Sequence, residues 1–262
     1  MKKTLIALAV TASAVMSGSA MAWTQGAVNG GVDFSGSLTP EMQSIPWEVQ
    51  IGAAVNDLAG TIKQGSTSAD VPVNNTIPVL GIRSVSSSGF VGAEGLNPQI
   101  SYGDAVDFSA SQNGVAPVTL KVKNADNQSE IGTLKASMKV IARLAWQNVG
   151  GSRAETFNAY ATAAGNAFYG GVGSTKQSIS ASATVSEAAD LFSGVTDTFN
   201  YFNGKDIGSW GSATVNDANQ YHSGFYASGI TAGSVMKLSL NTPADANVIH
   251  WAANLPVTVS YQ

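Results

Sequence analysis

Residues 27–39, AVNGGVDFSGSLT, alternate with period two. Val28, Gly30, Val32, Phe34, Gly36 and Leu38 form one set; Ala27, Asn29, Gly31, Asp33, Ser35 and Ser37 form the other, small or polar. Such alternation marks a strand with one buried face. No turn of two to five residues follows to fold it back as a hairpin, so its partner must come from elsewhere. The other end of the chain poses the same demand: Leu255, Val257, Val259 and Tyr261 alternate with Pro256, Thr258, Ser260 and Gln262. The sheet that this chain builds must therefore account for two terminal strands.

The residues before this stretch read as a leader. Lys2 and Lys3 form a charged start, Leu5 to Val15 an apolar run, and Ala20-Met21-Ala22 places small residues where a signal peptidase reads them. Ser13, Ser17, Gly18 and Ser19 interrupt the run well short of the roughly 18 apolar residues that a membrane-spanning helix needs. The expectation is a signal peptide over 1–22 and a mature chain starting at Trp23, exported by a bacterium.

With Lys2 and Lys3 set aside, 11 basic residues stand against 17 acidic ones. That balance argues against nucleic acid and against an anionic membrane surface as partners. Charged residues make up only 11% of the chain, as in exported β-rich proteins more than in cytosolic enzymes. There is no cysteine, so stability must come from packing or assembly. Thiolate metal sites and cysteine nucleophiles are excluded.

Strand patterns then recur. Trp47, Val49 and Ile51 share a face, and Pro46 fits the start of that strand. Asn56 to Ala69 is polar and mainly loop. Ile77-Pro78-Val79-Leu80-Gly81-Ile82 is a short apolar run whose proline suggests an edge position. Ser84 to Gly89 is a Ser-rich loop, and short strands are expected around Ile100–Tyr102 and Val106–Phe108. The clearest hairpin runs from Val118-Thr119-Leu120-Lys121-Val122 through Asn124-Ala125-Asp126-Asn127 into an alternating stretch from Ile131 to Val140. Strands at this spacing without intervening helices read as an antiparallel sandwich.

The pattern changes after residue 150. Phe157, Tyr160, Ala161, Ala164 and Phe168 recur at three- and four-residue steps, which predicts a helix over Arg153–Tyr169, stopped at Gly170-Gly171. Thr184-Val185-Ser186-Glu187 has capping-box form and predicts a second helix ending at Gly194. Asn200 to Asn219 reads as irregular. A helical and loop subdomain over about 150–215, inserted in a sandwich, is the expected organisation, and binding surfaces gather on such insertions. Strands resume at Tyr221, then at Met236, Leu238 and Leu240.

The two terminal strands could pair with each other. Alternatively the sandwich lacks an edge strand, and its open apolar groove takes an extended segment from a neighbouring subunit. An unfilled edge is an aggregation hazard, filling it is β-augmentation, and head-to-tail filling grows a filament.

At this point the chain resembles chaperone–usher fimbrial subunits, closest to the kappa class of enterobacterial fimbriae, the FaeG and ClpG type. The resemblance rests on the leader followed by Trp23, on Asn29-Gly30-x-Val32-Asp33-x-x-Gly36-Ser37, and on Lys123-Asn124-Ala125 entering the hairpin. It rests also on Phe168-Tyr169-Gly170-Gly171, on Trp251 and on the terminal strand with penultimate Tyr261. It implies an all-β, incomplete immunoglobulin-like sandwich over 40–262, completed by a donor strand, behind an N-terminal donor-strand extension over 23–39. Val32, Phe34, Gly36 and Leu38 would enter the next subunit's groove, with Gly36 over a shallow pocket. Val257, Val259 and Tyr261 would contact a periplasmic chaperone before an outer-membrane usher assembles the homo-polymer. One departure stands out: many pilins carry a glycine about fourteen residues before the end, whereas Ala246 to Ile249 here contain none. The family implies no cofactor and adhesion to host glycoconjugates, for which Tyr169, Tyr201 and Trp210 are candidate platforms.

No catalytic constellation is visible. His222 and His250 are the only histidines, and both lie in strand-like stretches. There is no His-Glu-x-x-His, Gly-x-Ser-x-Gly or phosphate loop, and no catalytic or metal-ligating residue is nominated. Asp217, Asn219 and Tyr221 could meet sugar hydroxyls, and a polar loop explains them equally well. The competing readings are an outer-membrane β-barrel, against which the short strands count, and a secreted carbohydrate-active or lectin-like protein, for which an acid–base pair is missing.

Overall fold

The computed structural model describes residues 34–37 and 44–262. Thirteen strands and one short helix are formed among them, and the protein is an all-β sandwich. The leader and most of the expected donor segment, Val32 and Leu38 included, lie outside the described residues.

The central element is β7 (Glu130–Asn148), a strand of 19 residues. Its first half pairs with β6 (Val115–Asn124) on one side and β11 (Val235–Leu240) on the other. Its second half pairs with β10 (Gln220–Ile230) and β8 (Ala154–Ala159). One strand thereby serves both parts of the sandwich. The sheet extends from β10 to β3 (Ile77–Ser84) and β1 (Trp47–Ile51), and from β11 to β2 (Ser68–Pro72). A short β4 (Phe90–Val91) also lies against β10.

The side-chain period explains the layers. On β7 the even positions Leu134, Met138, Val140, Ala142 and Leu144 face the main core. They meet Leu80 and Ile82 of β3, Val118 and Val122 of β6, and Tyr226 of β10 there. The odd positions face outward. Ile141 is nevertheless buried, because α1 (Val185–Leu191) and the turn after it cover that part of the sheet. Ala188, Leu191, Phe192 and Val195 pack with Ile141, Phe225 and Ala227 to make a second, smaller core.

The hairpin at Asn124–Asn127, the strands at Trp47–Ile51 and Met236–Leu240, and the helix behind the Thr184–Glu187 capping box all form as the sequence predicts. Thr184 Oγ1 accepts from the Glu187 amide, and the Glu187 carboxylate accepts from the Thr184 amide.

Four local expectations are corrected. The helix over Arg153–Tyr169 does not form: Ala154–Ala159 is strand β8, and a loop follows. This strand lies between β7 and the parallel strand β9 (Lys205–Trp210), and Phe157, Asn158 and Ala159 are all buried. A strand buried on both faces loses its alternation, and Tyr160, Ala161, Ala164 and Phe168 of the loop beyond it happen to continue a helical spacing from Phe157. The loop after it is held by Asn166, whose Oδ1 accepts from the amides of Thr162 and Ala163. Strand β9 itself corrects the irregular reading of Asn200–Asn219. Pro78 does not mark an edge strand, because β3 lies between β1 and β10; the proline sits beyond the end of β1, next to a register shift opposite Gly229. Val106 makes one bridge to Val118, and Phe108 opens a 3-10 turn capped by Asp107 in place of a strand.

Candidate functional site

The strand edges direct attention to one side of the sandwich. Among the described residues β1 pairs with β3 alone. The chain's last stretch holds two further strands, β12 (Trp251–Ala253), paired with β6 alone, and β13 (Thr258–Tyr261), paired with β5 (Pro98–Ser101) alone. Between β1 and this last stretch lies an open groove of about 490 Å³.

Its walls and floor follow from the side-chain period. The inward set of β1 continues through Ile51 and Ala53 to Val55, which form one wall. Trp251, Ala253, Leu255 and Val257 form the other. The floor is the inward face of the hairpin and β11, with Val118, Leu120, Leu134, Ala136 and Met236. The lining carries no charged side chain.

The groove shows as a gap in the burial pattern. Trp47 is buried, with its Nε1 donating to the Leu96 carbonyl at 2.8 Å and its ring edge-on to Phe90 and Phe168. Ile51 has the same inward orientation and is 59% exposed. From Trp251 to Tyr261 every odd residue is half-buried and every even one exposed. An inward apolar face that stays half open is what an absent neighbouring strand leaves behind.

The predicted site residues fall in separate places. Phe34 and Gly36 lie in the short described stretch 34–37, where Phe34 is 93% exposed. Val257 lines the groove, while Val259 and Tyr261 pair with Ile100 and Pro98 of β5. Burial raises the Tyr261 phenol above its ordinary pKa. The three aromatic candidates are not brought together by any one element. Trp210 ends β9 opposite Ala159 and is exposed. Tyr169 follows Phe168 in a turn whose carbonyl accepts from the Ile100 amide. Tyr201 stands edge-on to Phe199, and the Arg143 guanidinium lies 5.7 Å over its ring. That arginine, itself buried, also pairs with Asp206 and donates to Thr156 Oγ1, so Tyr201 rests against a packed cluster while its ring stays partly exposed.

Sequence reasoning missed the wall at Ala53 and Val55 and the floor. The signal for the wall was present: the alternation from Trp47 carries on past Gly52 to Val55. The floor was visible only as a hairpin face, because which buried face lacks its cover depends on tertiary pairing. Among the described residues no group of acidic or histidine side chains could hold a metal ion.

A family model described as the major and minor fimbrial subunit matches residues 1–262. The K88 fimbrial protein AB of Escherichia coli is 28% identical over 290 residues, covering the whole of both chains. The F41 fimbrial protein of Escherichia coli is 29% identical over 284 residues, and K88 fimbrial protein AC is 26% identical over 289, again with full coverage of both.

Proposed function

We propose that this chain, which belongs to the family of fimbrial major and minor subunits, polymerises by donor-strand exchange. It is a structural subunit of a cell-surface appendage and not an enzyme. The observation that carries the finer reading is the groove between β1 and the chain's last stretch, lined by apolar side chains with Asn56 and Asn254 and by no charged one, and flanked by strand edges without partners among the described residues.

The donor is the segment over 23–39 of a second copy. Its apolar positions Val32, Phe34, Gly36 and Leu38 step at the same two-residue period as Trp251, Ala253, Leu255 and Val257 on the groove wall. Four donor positions thus meet four wall positions. Backbone hydrogen bonds to the flanking edges supply affinity, and the alternate side chains fix the register. Burying Val32, Phe34 and Leu38 contributes about 1.5–3 kcal/mol each. The contact is head-to-tail, so assembly continues as a filament.

Before assembly the same open edge would expose an aggregation-prone surface. A periodic pause on a periplasmic chaperone, contacting Val257, Val259 and Tyr261, followed by delivery to an outer-membrane usher, resolves that hazard. The leader over 1–22 provides the export route. Adhesion to host glycoconjugates is the accompanying role, with Tyr169, Tyr201 and Trp210 as candidate platforms and Trp210 the most exposed of them.

The test is the behaviour of purified fimbriae in SDS. A donor-strand polymer gives a ladder that collapses to monomer on boiling. A single heat-modifiable band, or a monomer before heating, would refute polymerisation by this route.

A further inference from the structure

Among the described residues the outward face of β6, β7, β11 and β2 has no cover comparable to the α1 layer, and it concentrates positive charge. Lys121 and Lys123 lie on the outward side of β6, Lys135 on that of β7 and Lys237 on that of β11; all four are exposed. The chain as a whole is acidic, with a formal net charge of −4. Only Asp70 and Glu130 supply carboxylates on the paired rows of this face.

Two features set this face apart from an ordinary solvated surface. Lys135 and Lys237 are directly opposed across the β7–β11 pairing. Like charges so placed are destabilising. Thr119, the other direct neighbour of Lys135, is neutral, and Asp70, the other direct neighbour of Lys237, forms no ion pair with it among the described residues. Among the described residues Lys123, Lys135 and Lys237 make no ion pair, whereas Lys121 pairs with Glu130 at 3.3 Å. Second, the groups between the lysines are hydroxyls, with Thr133 and Ser239 opposed one row along from the lysine pair and Ser68 opposed to Ser239. The lysines thus stand among neutral hydroxyls that can donate to a bound anion.

We infer that this face binds a linear sulfated polysaccharide of the host cell surface. The lysines run diagonally from Lys123 through Lys121 and Lys135 to Lys237. Strand geometry places successive members about 5–8 Å apart and the whole track at roughly 20 Å, a length suited to several sulfates of an extended chain. Each sulfate accepts from an ammonium group and from neighbouring hydroxyls, and its charge relieves the repulsion between Lys135 and Lys237. This site is distinct from the aromatic candidates and from the groove, whose floor lies on the opposite side of the same strands. A fimbria repeats the track once per subunit, so weak single contacts sum to avid binding.

The experiment is retention of intact wild-type and variant fimbriae on immobilised heparin, with uncharged dextran as the control matrix. Wild-type fimbriae are retained on heparin and not on dextran. The double variant K135Q/K237Q binds about tenfold or more weakly, with a shallower dependence on salt, because fewer counterions are released. Glu130→Gln, which frees Lys121, elutes at higher salt than wild type. K176Q/K205Q removes the same charge elsewhere and leaves retention unchanged. Lys135→Gln alone weakens binding while its thermal midpoint stays equal to or above that of wild type, a combination that a structural role for the lysine does not give. The inference is overturned if wild-type fimbriae pass through the heparin column, if the two double variants lose retention equally, or if Lys135→Gln destabilises the subunit. It is overturned as well if K135Q/K237Q alters only the bundling of fimbriae, which would make the face a contact between copies. Because every arm uses assembled fimbriae, a failure here is distinct from a failure of donor-strand polymerisation.

Discussion

The hydroxyl of Tyr102 lies 2.9 Å from that of Tyr226 in the middle of the core. Tyr102 follows β5, the partner of β13, whereas Tyr226 lies on β10 in the large sheet. The contact therefore joins the small sheet, whose β13 follows directly on the wall residue Val257, to the body of the sandwich. Ser228 completes the cluster at 2.8 Å from Tyr102, and Tyr226 donates to the Gly171 carbonyl at 2.9 Å. Burial pushes the Tyr102 phenol up to about 12, so it remains a donor well beyond neutral pH. Tyr102→Phe leaves the ring in place and strands one partner hydroxyl. The expected loss is about 1–3 kcal/mol of stability, read as a lower urea midpoint for the subunit. An unchanged midpoint would show that water replaces the lost hydroxyl.

His222 sets an acid limit. It is buried on β10 beside Phe90, its Nε2 has no hydrogen-bond partner among the described residues, and only Asp217 favours the charged form. Burial is the larger effect and pushes its pKa down to about 4 from an ordinary 6.5. The unfolded chain then takes up the proton first. The stability gained from the neutral imidazole is complete above about pH 6.5 and is lost as the pH falls toward 4. Unfolding midpoints measured across that window should fall for the wild type and fall less for His222→Gln. Parallel curves for the two proteins would rule out this histidine as the source.

The sequence showed its fold best where one strand face meets water. The hairpin around Asn124–Asn127 alternates cleanly because the outward positions Thr119, Lys121, Thr133 and Lys135 lie on an uncovered face. Further along β7 the α1 layer buries Ile141 as well, and the alternation fades. Strand β8 is also buried on both faces, and its Phe157, with Phe168 from the turn beyond the strand, mimics a helix although both rings serve the main core. Part of the groove was legible in the same terms. The alternating run to Tyr261 announced one wall, and Trp47-Val49-Ile51 announced the start of the other. That these two walls face each other across an open gap depends on long-range pairings such as Trp47 with Ser84 and Trp251 with Asn124, which no local period encodes.

The α1 layer rests on a close approach at Gly81. A Cβ placed there would come within 2.7 Å of the Phe192 ring. Gly81→Ala therefore requires the buried ring to move, at an expected cost of about 1–3 kcal/mol. Phe192→Leu removes the obstructing edge at a cost of its own, and in that background Gly81→Ala should cost clearly less. Four urea midpoints make the double-mutant cycle. Additive costs would mean that α1 shifts as a unit and that the ring is not the obstacle.

Donor-strand exchange predicts one-way partners. A subunit lacking Trp23–Thr39 keeps its groove and has nothing to donate. A Leu255→Asp subunit keeps its donor segment, but a carboxylate now faces a lining that has no charged side chain. Burying that unpaired charge costs several kcal/mol, comparable to what one donor side chain contributes on insertion. Neither variant should form fimbriae alone. Co-expressed, the two should form a heat-sensitive dimer and stop there, since the truncated subunit accepts one donor and the Leu255→Asp subunit cannot accept at all. Replacing Gly36 by Leu in the donating subunit should abolish even the dimer, because the proposed register sets residue 36 over a shallow position that would not admit a branched side chain. Mass measurement of the unboiled complex distinguishes the outcomes. Filaments from either variant alone would refute the groove as acceptor, and a dimer that tolerates Gly36→Leu would shift the register of the donor along the groove.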